Sequence, residues 1–88
     1  MKIDKSFILR EIAGDFIIVP TGNTALTFNG LITVNEIGAF LWELLQNDTT
    51  EDKMLEAVLN DYDVDEKTAR ADIREYIKKL ELNGILEH

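Results

Sequence analysis

Residues 28–45, FNGLITVNEIGAFLWELL, decide how this chain folds. Asn29-Gly30 is a strong hairpin signal, because both residues tolerate the positive φ that a two-residue type I′ turn requires. Leu31-Ile32-Thr33-Val34 follows; it is apolar and β-branched and reads as a strand. Asn35 then caps a helix, its side-chain oxygen accepting from a free backbone N–H of the first turn. Glu36 sets a negative charge at the positive end of the helix dipole. Inside the helix Ile37, Phe40, Leu41, Leu44 and Leu45 recur at spacings of three and four, and the period holds to about Gln46. Trp42 falls off the centre of that stripe, a position open either to the core or to a self-association surface.

Toward the N-terminus the period is two. Met1 to Ser6 is polar and expected to fray. Phe7 to Ile12 reads as a strand, Ala13-Gly14 as a short connection, and Asp15 to Val19 as a second strand. Pro20-Thr21-Gly22-Asn23 is a turn, and Ala25 to Phe28 alternates enough for a third strand. With Leu31 to Val34 this makes an antiparallel meander of four short strands, or three if one segment is irregular.

Beyond the first helix, Asn47-Asp48 breaks the pattern and Thr49 or Thr50 restarts it, with Met54, Leu55, Val58 and Leu59 on one face as far as Tyr62. Asp65 is placed to cap a third helix from Glu66 to about Asn83, whose apolar stripe is Ala69, Ile73, Tyr76, Ile77 and Leu80. Gly84 stops it, and Ile85-Leu86 can fold back onto the core. The expected architecture is α+β and winged-helix-like: an N-terminal meander of three or four strands, then three helices, in one domain over residues 1–88.

Composition narrows the function. The chain has 88 residues and 45% apolar content, enough for one small core. No run approaches the ~20 apolar residues of a membrane span. The segment MKIDKSFILREI has charges where a signal peptide has its apolar centre. The expected localisation is therefore cytoplasmic, without membrane association. The net charge is −8, which repels a polyanion and counts against nucleic acid as a partner.

Catalytic chemistry finds little to work with. There is no cysteine; the one serine is Ser6 and the one histidine is His88, the last residue, so no Ser–His or Cys–His pair can be held in place. Asp61, Asp63 and Asp65 alternate as in a calcium loop, but the sixth and twelfth positions counted from Asp61 are Glu66 and Asp72 rather than glycine and glutamate. The glycines form no phosphate-cradling motif. Phe28 and Phe40 read as core. Neither an enzyme nor a cofactor or metal site is expected.

The run Gly30-Leu31-Ile32-Thr33-Val34-Asn35-Glu36 followed by Ala39-Phe40-Leu41-Trp42 resembles the strand-to-helix signature of the PqqD-like family. The resemblance continues through Val58-Leu59, Tyr62-Asp63-Val64 and the last helix. Members are precursor-peptide recognition elements of ribosomal natural-product pathways. The resemblance implies a non-catalytic adaptor that binds the leader of a precursor peptide and delivers it to a modifying enzyme, often a radical S-adenosylmethionine enzyme. It also implies where the leader lies: added as a strand beside Leu31, Ile32, Thr33 and Val34, and against the third helix.

On that helix Arg70, Arg74 and Lys78 recur every four residues beside Ile73 and Ile77. A cationic row flanking an apolar face suits an acidic, amphipathic leader. It predicts that Arg74→Glu weakens leader binding by more than about tenfold. Other readings are a winged-helix DNA-binding regulator, a subunit that binds only a partner enzyme, and solvated charges paired along the helix. The expected oligomeric state is a monomer or weak dimer.

Overall fold

The computed structural model describes residues 1–26 and 31–87. Along the chain come β1 (Lys2–Ile3), β2 (Phe7–Ile12), β3 (Asp15–Pro20), a 3-10 helix (Gly22–Leu26), β4 (Ile32–Val34), α1 (Glu36–Leu44), α2 (Glu51–Asp61), α3 (Glu66–Leu82) and β5 (Leu86–Glu87). The expected α+β arrangement of antiparallel strands followed by three helices is present.

The β2–β3 hairpin closes through two residues, since Ile12 faces Asp15 in the register. Ala13 and Gly14 both take positive φ, 53° and 86°, as a type I′ turn demands. β3 then pairs antiparallel with β4, with Phe16 opposite Val34 and Ile18 opposite Ile32. The sheet order is β2-β3-β4, so β4 is an edge strand. Along this sheet Phe7, Ile18 and Ile32 are buried, while Ile8, Arg10, Ile12 and Thr33 are exposed.

Two expectations need correction. The third strand of the expected meander, residues 25–28, is absent in its first half: Ala25 and Leu26 close the 3-10 helix instead. The physical reason is that Ala25 is a poor strand former and Leu26, 83% exposed, has no buried face to settle on. Thr27, Phe28 and the Asn29-Gly30 turn lie outside the described residues, as does His88. The N-terminus does not fray. β1 pairs with β5, Lys2 opposite Glu87 and Ile3 opposite Leu86, which buries Ile3. The Ile3 N–H donates to the Leu45 carbonyl at 2.9 Å and the Asp4 N–H to that of Ile85 at 2.7 Å. Gly84, at φ 70°, makes this pairing possible by reversing the chain after α3 and dropping Ile85 into the core.

All three helices start on side-chain caps. Asn35 Oδ1 accepts from the Gly38 N–H at 2.8 Å, Thr50 Oγ1 from Lys53 at 3.2 Å and Asp65 Oδ2 from Thr68 at 3.1 Å. The core joins Leu41, Trp42 and Leu45 of the α1 region to Met54, Leu55 and Val58 of α2 and Ala69, Ile73, Ile77 and Leu80 of α3. Trp42 is buried at 3% exposure, which removes it from any self-association surface. α1 contacts both β4 and α2, so its apolar side is wider than a single stripe. Phe40 packs at the margin of the core with its ring 5.3 Å from Tyr62, edge to face. No helix among the described residues is long and apolar enough to cross a membrane.

Candidate functional site

β4 uses one edge to pair with β3, and no described strand pairs with the other. An antiparallel edge leaves alternate N–H and C=O groups pointing outward, ready for a further strand. β4 is only three residues long because Asn35 turns the chain directly into α1. The open edge therefore stands next to the start of a helix.

A groove of about 350 Å³ runs along this edge. Thr33, Val34 and Asn35 form one wall, Ile37, Gly38 and Leu41 of α1 contribute to its lining, and Asp72, Glu75, Tyr76 and Lys79 of α3 form the opposite wall. Glu75 and Tyr76 each lie three or four residues from both Asp72 and Lys79, so the four form a continuous side of the helix. A small apolar notch of about 30 Å³ between α1, α2 and α3 shares Ile37 and Asp72 with the groove.

Gly38 sets how closely the walls approach. A Cβ there would stand 2.7 Å from the Val34 Cβ and 3.2 Å from Tyr76 Cε1. The Tyr76 hydroxyl donates to the Gly38 carbonyl at 2.8 Å, tying α3 to the first turn of α1. Burial pushes the Tyr76 phenol well above its ordinary value of 10.0, because the phenolate would be desolvated there. The tyrosine thus stays a neutral donor across the physiological range.

The nine residues singled out in the sequence divide. Thr33 and Val34 line the groove, Ile32 is buried under it in the core, and Leu31 is 69% exposed just before the strand. Ile73 and Ile77 are core residues of α3. The cationic row lies on the other flank of the helix. Arg70 Nη1 pairs with Glu51 at 2.7 Å and Asp52 at 3.2 Å, and Arg74 Nε with Glu51 at 3.1 Å, so both bind α2. Lys78 is exposed one turn beyond Arg74 on that flank and does not line the groove.

Periodicity alone cannot say which flank of a helical stripe meets the sheet. Here α2 takes the flank with the arginines, and β4 with α1 takes the one with Asp72, Glu75, Tyr76 and Lys79. Sequence reasoning missed those four. The available signal was Glu51-Asp52 in the first turn of α2, two acids that can draw the arginines of α3 toward α2. Among the described residues no three His, Cys, Asp or Glu side chains converge on a metal position.

Comparison with known proteins agrees with this architecture. None of the curated protein sequences matches the chain. Among solved structures, it is similar to TbiB1 in complex with the TbiA(beta) leader peptide, at 22% identity and a TM-score of 0.76 over 99% of this chain and 95% of that one. It is also similar to lasso peptide synthetase B1 complexed with the leader peptide, at 14% identity and a TM-score of 0.72 over 96% and 93%. The family model described as coenzyme PQQ synthesis protein D (PqqD) matches residues 16–86, a span that holds β3 from its second residue, β4 and all three helices. The chain is a member of the PqqD family.

Proposed function

We propose that this protein is a non-catalytic adaptor that binds the leader segment of a ribosomally made precursor peptide and presents the rest of that peptide to a modifying enzyme. The single observation that carries the reading is the open edge of β4 beside a groove walled by α3. An extended guest completes the backbone hydrogen bonds of such an edge, and alternate side chains enter the groove. Family membership supports the reading, as do two solved structures of the same fold, each a complex with a leader peptide. The adaptor works by raising the local concentration of substrate at the enzyme rather than by chemistry of its own. A radical S-adenosylmethionine enzyme is the partner that the family resemblance favours.

The contact set in this proposal is Leu31 to Val34 together with Asp72, Glu75, Tyr76 and Lys79. Arg70 and Arg74 serve the α2–α3 junction instead. That placement also weakens the DNA-binding reading, since the arginines a recognition helix would offer to phosphates already hold carboxylates.

The test uses the leader of a small open reading frame encoded beside this protein's gene, labelled and titrated against the purified chain. A scan that methylates the peptide's backbone nitrogens one at a time should weaken binding at every second residue, by about 1–3 kcal/mol at sensitive positions. Uniform tolerance to N-methylation would exclude strand addition.

A further inference from the structure

The charges on the groove wall have no ion-pair partner among the described residues. Arg70, Arg74 and Lys2 are held in ion pairs, but among the described residues Asp72, Glu75 and Lys79 form none. All three line the groove, with Tyr76 between them in sequence. We infer that the groove selects a guest strand whose inward face carries a basic side chain opposite Asp72 and Glu75 and an acidic side chain opposite Lys79. This rests on the peptide-binding reading above and specifies the peptide it takes.

A guest that covers Asp72 and Glu75 strips water from two carboxylates, and without a counter-charge it leaves them partly desolvated and unpaired. A uniformly acidic guest adds like-charge repulsion, so the wall discriminates against it as well as attracting the right partner. The order of charge follows α3. From Asp72 to Lys79 the helix rises about 10 Å. Residues on one face of a strand repeat at about 6.7 Å, so the two guest charges stand two or four residues apart. With four, the residue between them lies over the Tyr76 ring and is apolar. At that spacing the pattern is basic, any, apolar, any, acidic, and at the shorter one basic, any, acidic, read in whichever direction the guest runs. It is opposite in its main charge to the acidic leader that the Arg70–Lys78 row suggested.

A displayed library of random peptides of about a dozen residues tests this. It is selected on the unaltered protein, on Asp72→Lys/Glu75→Lys, on the neutral Asp72→Asn/Glu75→Gln, and on Lys79→Glu, each with an unchanged circular dichroism spectrum. The selected peptides are then located by amide shifts at residues 33–38. The expected result on the unaltered protein is enrichment of Lys or Arg at one groove-facing position and of Asp or Glu two or four residues away, the acidic preference turning basic on Lys79→Glu. The double lysine variant should select Asp or Glu in place of that Lys or Arg, and the peptides selected on the unaltered protein should bind it roughly tenfold more weakly, and the neutral variant a few-fold more weakly. Peptides that occupy the groove with no basic preference, or with the same preference on the charge-reversed variant, would overturn the inference and leave the peptide-binding reading in place. Failure to recover any peptide that shifts residues 33–38 would overturn both.

Discussion

Gly38 and Tyr76 act together at the mouth of the groove. With 2.7 Å between a Cβ at position 38 and the Val34 Cβ, Gly38→Ala forces β4 and α1 apart despite the better helix propensity of alanine. The expected net loss is about 1–2 kcal/mol in chemical denaturation, with weaker peptide binding alongside. Tyr76 makes a pH prediction. Its folded-state pKa is raised above 10.0 by burial, so the folded protein holds a proton that the unfolded chain releases. The stability from this group is complete below pH 10 and is lost as the pH climbs above it. Urea unfolding at pH 8 and pH 11 should show the drop. Tyr76→Phe should lower stability at pH 8 by about 0.5–1.5 kcal/mol and flatten the decline toward pH 11. At this scale the sequence was partly readable. Asn35 announced its cap, and Gly84 its stop. The tight fit at Gly38 was hidden, because it depends on Val34 and Tyr76 arriving from other elements.

At the scale of elements, α3 has two working flanks. One is bound to α2 through Glu51, which accepts from both Arg70 and Arg74. Arg74→Glu therefore should lower the melting temperature by about 2–6 °C and leave peptide affinity within about twofold. A tenfold loss of affinity with an unchanged melt would return the arginine row to the binding site. The helices and the strands of the β2-β3-β4 sheet were legible because period, caps and turns are local signals. β1 and β5 were not, since two-residue strands at opposite ends of the chain carry no pattern and pair only once Gly84 has turned the backbone. The segment before β4 misled for a related reason: residues 25–28 alternate in sequence, yet Leu26 finds no surface to cover.

Taken whole, the molecule leaves the outer edge of β4, where helix and sheet meet, without a partner strand among the described residues. The net charge of −8 is spread over the chain, but what matters for binding is the local wall of two acids and one lysine. The candidate site was half legible for that reason. The strand entering α1 was marked by its own sequence, whereas the opposing wall is fixed by how α2 packs on α3. Amide chemical-shift mapping during titration with the leader peptide decides whether a peptide fills the slot between β4 and α3. Such occupancy should place the largest shifts on residues 32–38 and on Asp72, Glu75, Tyr76 and Lys79, with slowed amide exchange in β4. Shifts concentrated instead on the Arg70–Arg74 flank, or on Ile8 and Ile12 of β2, with β4 unaffected, would contradict it.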